Sequence, residues 1–536
     1  MTTSRRMGRL AALLLAGSLA LTACARSGDD TDGGSGTGGE NNTPDDHFVT
    51  GVYQKEASGD PVQGGTLTFA DFAENRSLDP SKTIATGFSG GAPLVAVYDQ
   101  LVRWNVETQD WEPRLAESIE PNEDHSVWTV TLRDAQFSDG TPVNADAVIG
   151  SVNYYLQNQG YDAAVIAPMW KGIEKIDDKT VEFQLQGPWT TFPNMLGQGI
   201  GFIVAPAAIA GGPDAFEPIG AGPFTYESYQ PQEELVVAAN PDFWDGQPYL
   251  EKVRFVWLGS DDARVDLVKG GGANVGITNN SKWVWDLREE DMSGAMEINA
   301  QNALLMINQS RGPGTELKVR QAMGYAIDTE AVNDRARDGK GMPNHALFGP
   351  WSKWASGVET LNYDPEKAKT LLEEAKAEGY DGKVAVTGLS SSQDTILMIV
   401  ANLEAVGFEV EQDLQRNVAD YTTKIFIEKN YEVGTGGLSY NEADPYQRLY
   451  SSLHSESFAN ALGVKDPELD ELIEELRGTA LDDRGDVLKR IDERYQETVP
   501  AVTLSAGTNF IYWNDNVHGV FATNDSMVDF SKTWIE

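Results

Sequence analysis

A single cysteine among 536 residues leaves no partner for an intramolecular disulfide, so the fold must be held by its core alone. Histidine is nearly as scarce. His47, His125, His345, His454 and His518 are scattered, with no H-E-x-x-H and no paired C-x-x-C, so no metal-ligand spacing exists. No P-loop is present, which argues against nucleotide hydrolysis. Positive charge is also short: 41 Lys and Arg stand against 82 Asp and Glu, for a formal charge of −41. That field repels phosphate backbones and anionic headgroups, which argues against nucleic acid and peripheral membrane contacts. It attracts cations, protonated amines included; a plain solvated surface is the alternative. Long apolar runs are missing too. Only Leu10–Leu21 is almost all Leu and Ala, and a dozen residues fall short of the roughly 17–25 needed to span a bilayer.

That short run is nonetheless informative, because Arg5, Arg6 and Arg9 precede it and Leu21-Thr22-Ala23-Cys24 ends it. A basic start, an apolar core and a small residue before the cut describe an export leader. The ending resembles a bacterial lipobox, which implies cleavage after Ala23 and lipidation of the Cys24 thiol. Two or more acyl chains, at about 0.8 kcal/mol per buried CH₂, would then hold the chain at the membrane. An ordinary secretory leader with an incidental cysteine is the alternative. Ser4-Arg5-Arg6 hints at twin-arginine export, although Gly8 stands where such signals carry an apolar residue, so the export route stays open. Residues 25–47 are Gly, Ser, Thr, Asp, Asn and Glu without apolar periodicity, and a flexible tether is expected over 24–61.

The remaining chain exceeds one hydrophobic core, so two or more domains are expected. Gly64-Gly65-Thr66-Leu67-Thr68-Phe69 reads as a turn and first strand, ended by Leu78-Asp79-Pro80. Trp128, Val130 and Leu132 alternate with threonines, and Val181, Phe183 and Leu185 alternate likewise; both are half-buried strands. A helix is expected between them through Ala145–Tyr155, behind Asn144. Asp364-Pro365 and Asp466-Pro467 each supply a cap and a first-turn proline for a helix, the second continuing beyond Gly478 to Tyr495. Strands return around Ala501–Leu504 and Phe510–Trp513. The alternation of strands and helices without a short repeat indicates an α/β architecture of at least two lobes, with crossovers near 300–310 and 495–505.

A series of short motifs then runs in order along the chain. It comprises Leu78-Asp79-Pro80, Pro113-Arg114-Leu115-Ala116-Glu117-Ser118, and Phe137-Ser138-Asp139-Gly140-Thr141-Pro142. Gly220-Ala221-Gly222-Pro223-Phe224, Asn240-Pro241-Asp242-Phe243-Trp244, Val319-Arg320-Gln321-Ala322 with Ala326-Ile327-Asp328, and Pro467-Glu468-Leu469-Asp470 follow. In this order the chain resembles the extracytoplasmic solute-binding proteins of the peptide/oligopeptide/nickel ABC-transporter family, from about residue 62 to its end. Most of these motifs read as turns and caps rather than ligand contacts. The resemblance implies a two-lobed periplasmic-binding-protein-like (class II) α/β fold with an extra subdomain in the first lobe. Lobe I would cover 62–305 and 496–536, with the inserted subdomain over about 102–200, and lobe II 306–495. It also implies a monomer that captures a solute between the lobes and hands it to ABC permease subunits driven by a separate ATPase. No cofactor and no metal are called for.

Oligopeptide or dipeptide is the leading cargo, with an oligosaccharide or metal chelate as the alternative and a surface hydrolase behind both. Relatives in the resembled family present a carboxylate to a peptide's ammonium from a loop matching Gly436-Gly437-Leu438-Ser439-Tyr440-Asn441-Glu442-Ala443-Asp444-Pro445. The position of that carboxylate is Asn441 here, so Glu442 and Asp444 are the nearest acidic substitutes, with Tyr440 as the adjacent aromatic. Asp444 reads equally well as a cap for a helix begun by Pro445. Phe88 and Ser89 fall where relatives line the cleft, and Trp283 and Trp285 where the family offers aromatic contacts; Trp351 and Trp354 are further candidates.

Overall fold

The computed structural model describes residues 47–75, 77–440 and 442–536. The readings that fall on the leader, on Cys24 and on Asn441 therefore lie outside the described residues. Among those described, no helix is long and apolar enough to cross a membrane.

One large mixed sheet organises the chain. Its strands run in the order Glu409–Gln415, Lys383–Leu389, Val433–Gly436, Ser293–Ile307, Ala501–Trp513, Val275–Thr278, Thr66–Asp71, Lys252–Trp257, Glu234–Ala239 and Phe224–Gln230. The two long strands, Ser293–Ile307 and Ala501–Trp513, pair antiparallel at its centre. They share one ladder from Ser293↔Trp513 to Asn299↔Gly507 and resume it from Ala303↔Ser505 to Met306↔Ala501. Ala300, Gln301 and Asn302 bulge out between, and Gln301 takes a left-handed φ of 53°. A bulge of this kind bends and twists the strand that carries it.

The apolar packing changes at the same place. Met296, Ile298, Ala506 and Phe510 belong to a cluster with Phe48, Val265 and Leu287. Leu305, Ile307, Val502 and Leu504 belong to another with Val384, Val386, Ile399 and Leu403. Each fully buried side chain of these types contributes about 1.5–3 kcal/mol, so both halves of the sheet have cores of their own. The halves are joined through the two long strands.

The strands expected at 66–69, 128–132 and 181–185 are present as Thr66–Asp71, Val127–Leu132 and Thr180–Leu185. The last two sit in a separate antiparallel sheet of order Ala116–Pro121, Val127–Leu132, Thr180–Leu185 and Trp170–Lys175. Helix Ala145–Gln157 packs on that sheet, and Asn144 accepts from the Ala147 amide as its cap. Pro365–Ala377 and Pro467–Gly478 start behind Asp364 and Asp466, whose carboxylates accept from first-turn amides. Two expectations are corrected. The helix after Asp466 does not continue to Tyr495, because Thr479 is extended and a separate helix spans Arg484–Thr498. Residues 501–504 and 510–513 are ends of one 13-residue strand, not two.

Within the stretch read as tether, the chain is already structured. Gly51–Tyr53 pairs with Gly294–Met296 of the first long strand, and His47 stacks on Trp285 with ring centroids 3.9 Å apart.

Candidate ligand-binding cleft

The bulge between the long strands is where segments carried by the two halves of the sheet converge. Strand Val433–Gly436 belongs to the half with its own Leu305 core, and the chain leaving it lies directly on the bulge. Ala300 and Tyr440 exchange backbone hydrogen bonds, and the Leu438 amide donates to the Gln301 carbonyl at 3.0 Å. Gly437 permits this approach: a Cβ there would sit 2.0 Å from the Asn302 carbonyl oxygen. The Gln301 side chain continues the link, donating to Thr503 Oγ1 at 3.0 Å.

Three of the loop residues singled out from sequence, Tyr440, Glu442 and Asp444, have definite settings. Tyr440 is fully buried, its hydroxyl 3.0 Å from Ser452 Oγ and its ring 6.1 Å from that of Phe348. It packs as a core residue. Glu442 accepts from the Lys353 amide at 3.2 Å, and its carbonyl takes the Trp354 indole N–H at 3.0 Å. Burial pushes the Glu442 carboxyl above its usual range, while Lys353, itself lowered by burial, offsets part of that shift. The Lys353 ammonium lies 4.8 Å from the Trp354 ring centroid and 5.2 Å from that of Trp104. Asp444 has no exposed surface. Its Oδ1 receives Arg484 Nη2 at 2.6 Å and the Tyr446 amide at 3.1 Å, and its Oδ2 receives Thr191 Oγ1 at 2.7 Å. Charge-assisted bonds thus occupy both oxygens.

Phe88 is half-buried against Phe72, with ring centroids 5.9 Å apart, and Ser89 is exposed. Their loop is pinned to the C-terminal region, where the Gly87 amide donates to the Asp525 carbonyl at 2.8 Å. A Cβ on Gly87 would come within 2.1 Å of the Ser526 carbonyl oxygen, so only glycine fits. Gly87-Phe88-Ser89-Gly90-Gly91 has the G-x-S-x-G spacing of a hydrolase elbow. The residues before it form turns, not the strand such an elbow requires.

Trp283 and Trp285 lie on helix Ser281–Glu289, partly buried against the cluster that holds Phe48 and Leu287. Trp283 Nε1 donates to Asp262 Oδ1 at 2.9 Å, and Trp285 stacks on His47 and meets Phe48 edge-on.

Sequence reasoning missed several polar residues. Glu297, on the first long strand, is buried and accepts from the Asp525 amide at 3.3 Å and Ser526 Oγ at 2.9 Å. Burial, with the charge of Asp525 added, pushes its pKa up to about 8. Asp525 and Ser526 both take left-handed φ near 55°, a costly backbone for residues with side chains. Gln198 Nε2 donates to Asp525 Oδ2 at 2.7 Å. Opposite stands helix Tyr446–Leu453, whose Gln447 donates to Asp162 Oδ1 at 2.7 Å and whose Arg448 reaches the Tyr161 hydroxyl at 2.5 Å. A single charge inside a strand that has no other was the one available signal for Glu297. Arg448 had none.

Comparison with known proteins identifies the family. The family model for bacterial extracellular solute-binding proteins, family 5, matches residues 110–460. The chain is 24% identical to heme-binding protein A of Haemophilus influenzae over 474 residues, 81% of this chain and 86% of that one. It is 27% identical to the dipeptide-binding protein of Escherichia coli, over 59% of this chain and 64% of that one. The dipeptide-binding protein of Pseudoalteromonas sp. SM9913 in complex with Met-Leu superposes with a TM-score of 0.76 at 21% identity, over 88% of this chain and all of that one. The chain belongs to the family 5 extracellular solute-binding proteins of ABC transporters and has their two-lobed α/β fold.

Proposed function

We propose that this protein captures a dipeptide or oligopeptide between its lobes and delivers it to an ABC permease from a lipid anchor at Cys24. The observation that carries the peptide reading is the pairing of opposite charges around the bulge. The Arg448 guanidinium faces Asp162 and Asp525 there, and Glu442 lies beside Lys353. A peptide is zwitterionic, and such a wall offers a partner to each end. Phe88 and Ser89 would line the first-lobe side. Mass spectrometry of the solute that co-purifies with the native protein tests the reading directly. A peptide supports it; an oligosaccharide, heme or metal chelate overturns it.

Within the loop, Asn441 and Glu442 are our candidates for the peptide amine, since both oxygens of Asp444 are bonded within the protein. Glu442→Gln should weaken binding of a free-amine peptide by about 1–3 kcal/mol, the scale of a lost charged hydrogen bond. Calorimetry with the N-acetylated form of the same peptide should find wild type and variant alike. Equal losses for both peptides would remove Glu442 from amine recognition.

The anchor is tested separately. Cys24→Ser should move the protein from the membrane to the soluble fraction while its melting temperature stays that of wild type, because none of the buried clusters among the described residues includes it. Unchanged membrane retention would refute lipidation at Cys24.

A further inference from the structure

Solute-binding proteins open and close, and one contact here spans the two halves of the sheet with both sides supplied by the protein itself. Residues 188–191 extend from the small antiparallel sheet, which is inserted between strands of the first half. Residues 437–498 leave the second half at Gly436 and return to it at Ala501. These two segments, tied covalently to opposite sides of the bulge, interlock. Thr191 Oγ1 donates to Asp444 Oδ2 at 2.7 Å and accepts from Arg484 Nη1 at 3.3 Å, inside the fully buried Asp444–Arg484 ion pair. The Thr190 amide donates to the Arg477 carbonyl at 3.0 Å, and its hydroxyl donates to the Thr479 carbonyl at 2.7 Å. Arg477 Nε returns a bond to the Pro188 carbonyl at 2.9 Å. The Trp189 ring meets Tyr446 edge-on, with centroids 5.3 Å apart.

We propose that Pro188–Thr191 is a latch and that Asp444, Tyr446, Arg477, Thr479 and Arg484 form its socket, together holding the lobes closed. The inference rests on reading the protein as a two-lobed solute trap. Any rotation about the bulge that separates the halves must withdraw this segment and expose the ion pair to water. Closing buries the pair again and completes it with the Thr191 hydroxyl. Because Asp444 sits in the loop proposed to meet the ligand, the latch and the ligand loop move together. Arg484 and Thr191 are therefore positioning residues, acting on the loop through Asp444. A latch intrinsic to the protein lets the empty trap visit its closed form, and the ligand then selects that form rather than creating it.

Thr191→Val tests this, since valine keeps the shape and volume of threonine but neither donates nor accepts. The readout is hydrogen exchange by mass spectrometry on protein stripped of ligand by unfolding and refolding. In wild type, segments 188–191 and 477–484 should exchange well before the long strands, through opening rather than global unfolding. Thr191→Val should speed exchange in those segments roughly tenfold, as expected for losing a hydrogen bond to a charged group. Exchange in Leu304–Met306 should be unchanged, and the radius of gyration of the empty protein should rise. Three results would overturn the latch: no change in exchange, uniform acceleration across both halves, or latch segments as protected as the long strands in empty wild type. Because no ligand is added, the identity of the solute does not affect this outcome. A failed latch and a failed peptide assignment are thus told apart.

Discussion

Asp444→Ala should cost the folded protein about 3–5 kcal/mol, the usual penalty for leaving one member of a buried ion pair without its partner. The stranded group would be Arg484, which has no exposed surface and whose Nη2 is held by Asp444. Surface ion pairs of this chain make a useful contrast. Lys369–Glu366 is largely exposed, and breaking it should change stability by less than about 1 kcal/mol. Urea denaturation of the ligand-free protein measures both. Replacing both partners with apolar residues, Asp444→Leu with Arg484→Met, should restore much of the loss, because no charge then remains buried. A loss from Asp444→Ala as small as that of the surface pair would show that the guanidinium finds water or another acceptor.

The second large effect concerns pH. Glu297 is pushed up to about 8 by burial and by the charge of Asp525, against roughly 4.3 in an unfolded chain. A proton is thus bound more tightly in the folded state. The stability it brings is complete below the unfolded value and is lost as pH rises through about 8. Between those limits the loss should approach 1.4 kcal/mol for each pH unit at steepest, a large slope for one group. Glu297→Gln keeps a neutral side chain that bonds at the same place, so it should flatten the slope and exceed wild type in stability above about pH 8. Denaturation midpoints at about pH 5, 7 and 9 would reveal it, and parallel curves for the two proteins would place the titration elsewhere. The proton belongs to the Glu297–Asp525 pair, so Asp525→Asn should lower the midpoint of the wild-type transition.

How much of this was legible in the sequence differs between elements for physical reasons. Val127–Leu132 and Thr180–Leu185 alternate because each has one buried face, and period two is visible in the residues themselves. Helices behind Asn144, Asp364 and Asp466 were announced by local capping chemistry. Ala501–Trp513 hid its continuity because Gly507-Thr508-Asn509, a turn-like sequence, interrupts its pattern midway. The loop after Gly436 could be found from its resemblance to relatives. Its supports could not: Arg484 lies 40 residues from Asp444 and Thr191 lies 253 residues away. Trp283 and Trp285 pose the converse problem, since both are only partly buried. Nothing local distinguishes an indole that packs on His47 from one that awaits a ligand.

The short ladder at Gly51–Tyr53 also settles where mechanical load enters the molecule. Whatever pulls on the chain before His47 acts in shear on three residue pairs with Gly294–Met296 and on the stack of His47 with Trp285. Those residues all lie on one side of the bulge, in the half of the sheet that carries Phe510 and Met296. Force from the N-terminus therefore enters that half first and reaches the other only through the two long strands and the contact at Pro188–Thr191. A protein held by that end is mounted through one half, and the other half is carried on it.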